Sequence, residues 1–347
     1  MTGDGTAPSL SDRDLDSAVQ QVGHDWRHLA GARVLITGGT GFVGRWLVET
    51  LARARKVENF SCTAVLLTRC ASRTYARWPW VLGQGWISLL ETDVRRVGPD
   101  AGSIDLVVHG AVDTAVSTQI GDIAEVCESG TRRMIEIAQA ANASRFHLIS
   151  SGAVYAPRQP GQQDPAESDP IGTSQADSGD AYADGKRIAE RLVSALSSNF
   201  RGSATISRVF GLIGPALPLD GRFAVGNFIR DALQGEPIRV LGDGRAVRSY
   251  LHSIDLAAWI WKMAIAGAPG TVMNVGSGQA ISIGDLAHRV RDLLAPTVPV
   301  LIQALPGVGT SRFVPNIDRA WNLFGLRPLH SIEDGILGTA RHYHGTS

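Results

Sequence analysis

Cysteine is scarce. Cys62, Cys70 and Cys127 are the three in a chain of 347 residues, too few and too scattered for a disulfide framework or a zinc site, and they fit a reducing compartment. All three read as core or near-core thiols. Net charge is missing too: Lys and Arg total 33 and Asp and Glu total 33, so no field of one sign attracts a polyanion, which argues against nucleic acid as a general partner. No apolar run reaches membrane-spanning length. The opening segment MTGDGTAPSLSDRDLDSAVQQVGHDW carries acidic residues where a signal peptide requires a basic start and an apolar run. The expected location is the cytoplasm, with no membrane partner. Nine histidines are dispersed, and the pair His342 and His344 lies near the C-terminus, so no metal is assigned. Trp78, Trp80 and Trp86 come without a basic groove and read as packing residues.

What is present is apolar sequence, 44% of the chain against 19% charged, enough for one or two domains with a large core. Leu15, Val19 and Val22 recur at helical spacing and predict a short amphipathic helix. Continuous apolar runs follow in RVLITG, CTAVLLT, WISLLET, IDLVVHGA, FHLISS and ATISRVF, separated by helical patterns such as GRWLVETLARA, TRRMIEIAQAA and KRIAERLVSAL. Such alternation predicts an α/β fold, a doubly wound parallel Rossmann sheet covered on both faces. From about Gly211 the chain turns rich in Gly and Pro, which predicts a smaller C-terminal substrate-binding region. The expected division is a helical extension over 1–30, a dinucleotide-binding domain over 31–210 with a return near 250–275, and the substrate region over 211–347. The polar interval from Arg158 to Asp180 has the length of a functional or mobile loop.

In VLITGGTGFVGRWLVETL, Gly38, Gly41 and Gly44 stand between a strand and a helix, each three residues after the last. The first permits a tight turn, the second lets the backbone approach a pyrophosphate, and the third lets the helix pack close, with its N-terminal amides facing the anion. Phe42 and Val43 belong to the same cofactor site. The end of the second strand, where NAD-selective proteins place an acid for the ribose 2′-hydroxyl, here carries Thr68 and Arg69, with Arg73 close behind. A guanidinium there suits a 2′-phosphate, so the expected cofactor is NADP or NAD, with NADP slightly favoured. Asp93 and Val94 are assigned to the adenine edge and Ala111 to the nicotinamide side. Asp113 and Thr114, just after the fourth strand, line a sugar pocket or cap a helix.

DAYADGKRIAERL opens a helix that puts Tyr182 and Lys186 on one face. An ammonium beside a phenol favours the phenolate, which predicts a tyrosine pKa lowered from about 10 towards a range useful for proton transfer. Ser151, at the end of FHLISS, is placed to hydrogen-bond the substrate oxygen that Tyr182 protonates.

TGGTGFVG, ISSGAVY and YADGK together resemble an extended short-chain dehydrogenase/reductase of the nucleotide-sugar type, from about Leu29 to the C-terminus. RVFGLIGP, LGDGRAVRSYLHSIDLA and NVGSGQAISIGDLA are similar to that family's substrate-holding segments. The resemblance implies that Ser151, Tyr182 and Lys186 are the catalytic triad, that Phe210 lies by the nicotinamide, that Arg248 reaches the diphosphate and that Asn227 lies near the phosphates. It also implies a nucleotide-sugar substrate and a homodimer. Departures from the pattern narrow the chemistry. The family's 4,6-dehydratases follow the catalytic hydroxyl with Asp-Glu, and its decarboxylases carry a glutamate where Ala153 stands; this chain has Gly152 and Ala153. Gly211 and Cys127 also replace asparagines of the pattern. Hydride and proton transfer at a carbinol or ketone remain. The expected function is NAD(P)-dependent reduction of a nucleotide-linked 4-keto-6-deoxyhexose, with dTDP as carrier. The alternatives are a nucleotide-sugar 4-epimerase that retains NAD and, further off, a catalytically silent cofactor-binding protein.

Overall fold

A strand covered on both faces has no polar side to show, so the unbroken apolar runs form the middle of a parallel sheet. In the computed structural model, which describes residues 10–98, 102–111, 120–156, 161–172, 180–197, 200–221, 223–303 and 311–344, the six runs become β1 (Arg33–Thr37), β2 (Thr63–Thr68), β3 (Ile87–Glu91), β4 (Leu106–His109), β5 (Arg145–Ser151) and β6 (Ser203–Val209). A seventh strand, Val272–Val275, completes a sheet in the order Val272–Val275, β6, β5, β4, β1, β2, β3. Leu35 of β1 is opposite Val65 on one side and Val107 on the other, in parallel register. The chain therefore starts in the middle of the sheet and winds outward both ways. The reversal leaves a crevice at the carboxyl ends of β1 and β4, where folds of this kind bind ligands.

Among the described residues the α-helices are α1 (Asp12–Val22), α2 (Phe42–Val57), α3 (Ala71–Arg77), α4 (Ile120–Ala140), α5 (Ala181–Ser197), α6 (Ala224–Leu233), α7 (Ser253–Ala266), α8 (Ile283–Leu294), α9 (Asp318–Phe324) and α10 (Ile332–His344). Two compact units divide the chain. One takes in Met1–Val154, Ile171–Arg208 and Ala257–Met273, and the other Tyr155–Pro170, Val209–Leu256 and Asn274–Ser347.

In the first unit, α4 and α5 cover one face of the sheet, where Met134, Ile137 and Val193 join Leu35, Val107, Phe146 and Ile206 in one buried cluster. Near α2, Trp261 Nε1 donates to Leu47 O at 3.0 Å. The N-terminal helix is fixed by both packing and charge. Leu15, Ala18, Val19 and Val22 are buried, and Arg53 of α2 reaches Asp16 at 2.6 Å and Asp12 at 2.8 Å. The hydrogen bond from Arg53 holds the Asp16 carboxyl below its ordinary value.

The second unit holds α6, α8 and short strand pairs such as Ile238–Val240 with Val300–Ile302. Its segment Tyr155–Pro170 is strapped down by Asn274, whose side chain accepts from Tyr155 Oη at 2.8 Å and donates to Pro165 O at 2.9 Å. Arg312 adds a bidentate pair to Asp164 at 2.6 and 2.8 Å. Among the described residues no helix is long and apolar enough to cross a membrane, and no three His, Cys, Asp or Glu side chains group to hold a metal.

Candidate active site

The glycine loop follows β1. Gly38 has φ +73°, and a Cβ there would lie 2.9 Å from the carbonyl carbon of Gly110. At Gly44 a Cβ would lie 2.2 Å from Gly38 O and 2.4 Å from the Cα of Gly39. Both glycines are demanded by the fold itself. Gly41 differs: it caps α2 with φ −86°, it is exposed, and its Cβ would meet only Gly38 O at an ordinary 3.4 Å. Among the described residues nothing requires it to be small, so the space in front of it suits a ligand approaching the backbone. With the unpaired amides of the first turn of α2 beside it, the loop fits a pyrophosphate. Phe42 and Val43 are partly buried in that turn.

A buried relay fixes the neighbouring strand end. Thr37 Oγ1 accepts from the amides of Gly110 at 3.2 Å and Ala111 at 3.1 Å, and it lies 2.7 Å from His109 Nδ1. With both lone pairs engaged, the threonine hydroxyl donates to Nδ1, which puts the imidazole proton on Nε2, 3.1 Å from Thr131 Oγ1. Burial, with the Lys186 charge adding to it, lowers the His109 pKa to about 3, so the ring is neutral. The sequence reading missed this relay; its one signal was a histidine closing the apolar run LVVH.

At the far end of the crevice Thr68 is buried, while Arg69 and Arg73 are exposed. Opposite Thr68 stands Glu91, whose Oε2 accepts from the amide of Ala71 at 3.2 Å. Asp93, expected at the adenine edge, caps the amide of Arg95 at 2.9 Å and chelates its guanidinium, with both contacts at 2.9 Å. Those bonds pull its pKa down to about 2. Val94 is buried in the core against Gly130 of α4. Asp113 and Thr114 lie outside the described residues.

β5 delivers Ser151 at its end, 7% exposed, with Oγ accepting from the amide of Ala153 at 3.2 Å. α5 starts after Asp180, whose Oδ1 accepts from the amide of Ala183 at 3.1 Å, and presents Tyr182 in its first turn and Lys186 one turn later. Gly185 between them lets α5 approach α4, since a Cβ there would lie 2.8 Å from Cys127 Sγ. Ser151 and Tyr182 are hydrogen-bonded. Lys186 Nζ lies 5.9 Å from the Tyr182 ring centroid and donates to Ile149 O at 2.7 Å.

The expected lowering of the tyrosine pKa is not what the geometry gives. Burial raises it, the Ser151 bond opposes that, and Cys127 and Asp180 raise it further. The ammonium is turned to the Ile149 carbonyl, and desolvation depresses the lysine's own pKa. In the free protein Tyr182 is a protonated phenol.

The second unit holds the remaining expected residues. Phe210 is buried, its ring 4.6 Å from Phe313 and 6.2 Å from Tyr155. Arg248 donates to Ser311 O at 3.1 Å and to Ser311 Oγ at 3.0 Å. Asn227 Oδ1 accepts from Arg230 at 3.3 Å on α6.

The model of the NAD dependent epimerase/dehydratase family matches residues 34–276. UDP-glucuronic acid decarboxylase 6 of Arabidopsis thaliana is 26% identical over 313 residues, which cover 88% of this chain and 86% of that protein. Among solved structures, an epimerase from Methanothermobacter thermautotrophicus superposes with a TM-score of 0.79 at 23% identity, covering 94% of this chain and 96% of that one. A UDP-glucuronic acid 4-epimerase from Bacillus cereus, in complex with UDP-glucuronic acid and NAD, gives 0.77 at 19% identity, covering 91% and 100%.

Proposed function

The chain belongs to the NAD dependent epimerase/dehydratase family, and from that premise we propose that it is an NAD-dependent 4-epimerase of a UDP-linked sugar. The observation that carries this reading is the turn after Ser151. Gly152 and Ala153 follow the hydroxyl, so no carboxylate stands there to abstract a C5 proton, protonate a leaving group or assist loss of CO2. Proton and hydride exchange at C4 needs neither.

NAD, when bound, supplies a reversible hydride acceptor. Gly38, Gly41, Gly44 and the first-turn amides of α2 would hold its pyrophosphate. Tyr182 must first give up its own phenolic proton to solvent; as the phenolate it takes the proton of the C4 hydroxyl and returns it to the same oxygen as the opposite configuration at C4 forms. Ser151 donates a hydrogen bond to that oxygen and keeps it beside the phenol. Lys186, 4% exposed, keeps a buried positive charge 5.9 Å from the Tyr182 ring centroid, which stabilises the phenolate once the phenol has lost its proton.

The 4-ketoreductase expected from the sequence would use the same three residues with NADPH. The epimerase and NAD are preferred because a similar fold holds UDP-glucuronic acid with NAD, and because Glu91 sets a carboxylate opposite Thr68 at the end of β2. A carboxylate repels a 2′-phosphate and accepts from a 2′-hydroxyl.

The test is incubation with UDP-glucose or UDP-glucuronic acid and catalytic NAD, with the sugar nucleotides separated by chromatography and reduced nicotinamide followed by absorbance. The C4 epimer is expected to form with no net change in NADH. Release of CO2, or stoichiometric consumption of NADPH with a dTDP-4-keto-6-deoxyhexose, would replace the reading by decarboxylation or ketoreduction.

A further inference from the structure

Behind the tyrosine and lysine lies a set of buried charges that the chemistry above does not use. Glu190 stands one turn beyond Lys186 on the same face of α5. It accepts a hydrogen bond from Ser150 Oγ at 2.6 Å. It is also paired with Arg208 of β6, Nη2 at 2.8 Å and Nε at 3.1 Å to each carboxylate oxygen. Glu190, Arg208 and Ser150 are 3%, 6% and 2% exposed. A buried ion pair is costly to desolvate, and apolar residues of the same volume usually stabilise as well or better, so stability alone does not account for it.

Among the described residues, groups from β4, α4, β5 and α5 act on Lys186. Neutral His109 comes from β4, the Cys127 thiol from α4, the Ile149 carbonyl from β5, and Tyr182 and Glu190 from α5 itself. Arg187, next to it, is paired with Asp184 at 2.7 Å and bonded to Val154 O. Burial lowers the lysine's pKa, while Cys127 and Glu190 oppose that. The buried Cys127 thiol is itself held protonated by desolvation, which among the described residues leaves Glu190, the partner of Arg208, as the carboxylate acting on the ammonium.

We propose that Glu190 is a positioning residue of this site: paired with Arg208, it keeps Lys186 charged beneath the tyrosine and, through Ser150, holds the strand end that carries Ser151. The use made of Lys186 rests on the epimerase reading, whereas the charge of Lys186 can be read in the free protein without substrate.

The chain has three lysines; Lys56 is exposed and Lys262 is paired with Asp25 at 2.6 Å. Protein labelled with 13C-lysine therefore gives three resonances to titrate by NMR, assigned by single Lys→Arg variants. Glu190→Gln keeps the shape and an acceptor for Ser150 but removes the charge, and the Lys186 midpoint is expected to fall by about one pH unit. The double variant Glu190→Gln/Arg208→Met buries neither charge. It is expected to lie between the single variant and the parent, and it serves as the comparison if the single variant does not fold. Glu190→Asp should recover most of the shift. An unchanged Lys186 midpoint in the folded single or double variant overturns the proposal. If the midpoint moves in a protein that epimerises no UDP-sugar, the electrostatic assignment stands and the epimerase reading alone falls. If both hold, the alkaline limb of kcat shifts in the same order as the midpoint while NAD affinity stays unchanged.

Discussion

Two histidines sit inside the first unit without charge, and acid should unfold the protein through them. His147 has no accessible surface and lies 2.8 Å from Thr205 Oγ1 and 2.9 Å from Ser207 Oγ. His109 is 2% exposed and bonded to Thr37 and Thr131. Burial lowers each pKa to about 3, and the Lys186 charge adds to the effect at His109. In the unfolded chain both titrate near 6.5. The folded pKa is the lower one, so the native state binds fewer protons; stability is full above pH 6.5 and is lost as pH falls towards 3. Between pH 7.5 and 5.0 each ring costs about 2 kcal/mol, and the two together about 4 kcal/mol. That is a large share of the roughly 5–15 kcal/mol that holds a typical domain folded. Urea unfolding at the two pH values, followed by tryptophan fluorescence, measures the loss. His147→Gln should roughly halve it, because one titrating ring is gone while carboxylates, which titrate near pH 4, act equally on both proteins. Equal losses in parent and variant would refute the reasoning, as would a ring proton resonance of His109 or His147 titrating near 6.5 in the folded protein.

Tyr182→Phe removes the proton donor and leaves the glycine loop untouched; turnover should drop at least ~10²-fold with NAD affinity by calorimetry nearly unchanged, and equal turnover would remove Tyr182 from the chemistry. Gly41→Ala and Gly44→Ala should separate ligand contact from fold. The first places its Cβ in ordinary contact at 3.4 Å, so it should weaken NAD while leaving the melting temperature in place. The second puts a methyl 2.2 Å from a backbone oxygen, so it should also cost about 1–3 kcal/mol of stability by denaturant titration.

The sequence shows the sheet because its middle strands are apolar throughout, and Val34, Leu35 and Ile36 have no exposed surface at all. It shows the glycine loop because Gly38 and Gly44 answer steric demands local to a few residues. Tyr182 and Lys186 were visible as a pair because helical geometry alone brings them to one face. What stayed hidden depends on partners supplied from far along the chain. Glu190 on a helix reads as a solvated charge until β6 brings Arg208 to it. The direction of the Tyr182 shift was misread because spacing reports proximity to Lys186 but not desolvation, which is the larger influence. The pairing of Asp93 with Arg95, two residues on, was equally hidden, because nothing in the sequence shows the guanidinium folding back onto the carboxylate.

Val272–Val275, the last strand of the sheet to be made, lies at its edge beside β6, although β6 itself ends at Val209. On a ribosome adding about 5–20 residues per second, several seconds pass between completion of β6 and arrival of the strand that pairs with it. During that interval the outer edge of β6, whose Ile206 amide will bond to Thr271 O and whose Ala204 carbonyl will accept from Gly270, is an open template for strand addition. The nascent chain therefore carries this additional open edge, a site for self-association, while most of it has already been made, and nascent chains stalled before Thr271 keep that edge unpaired.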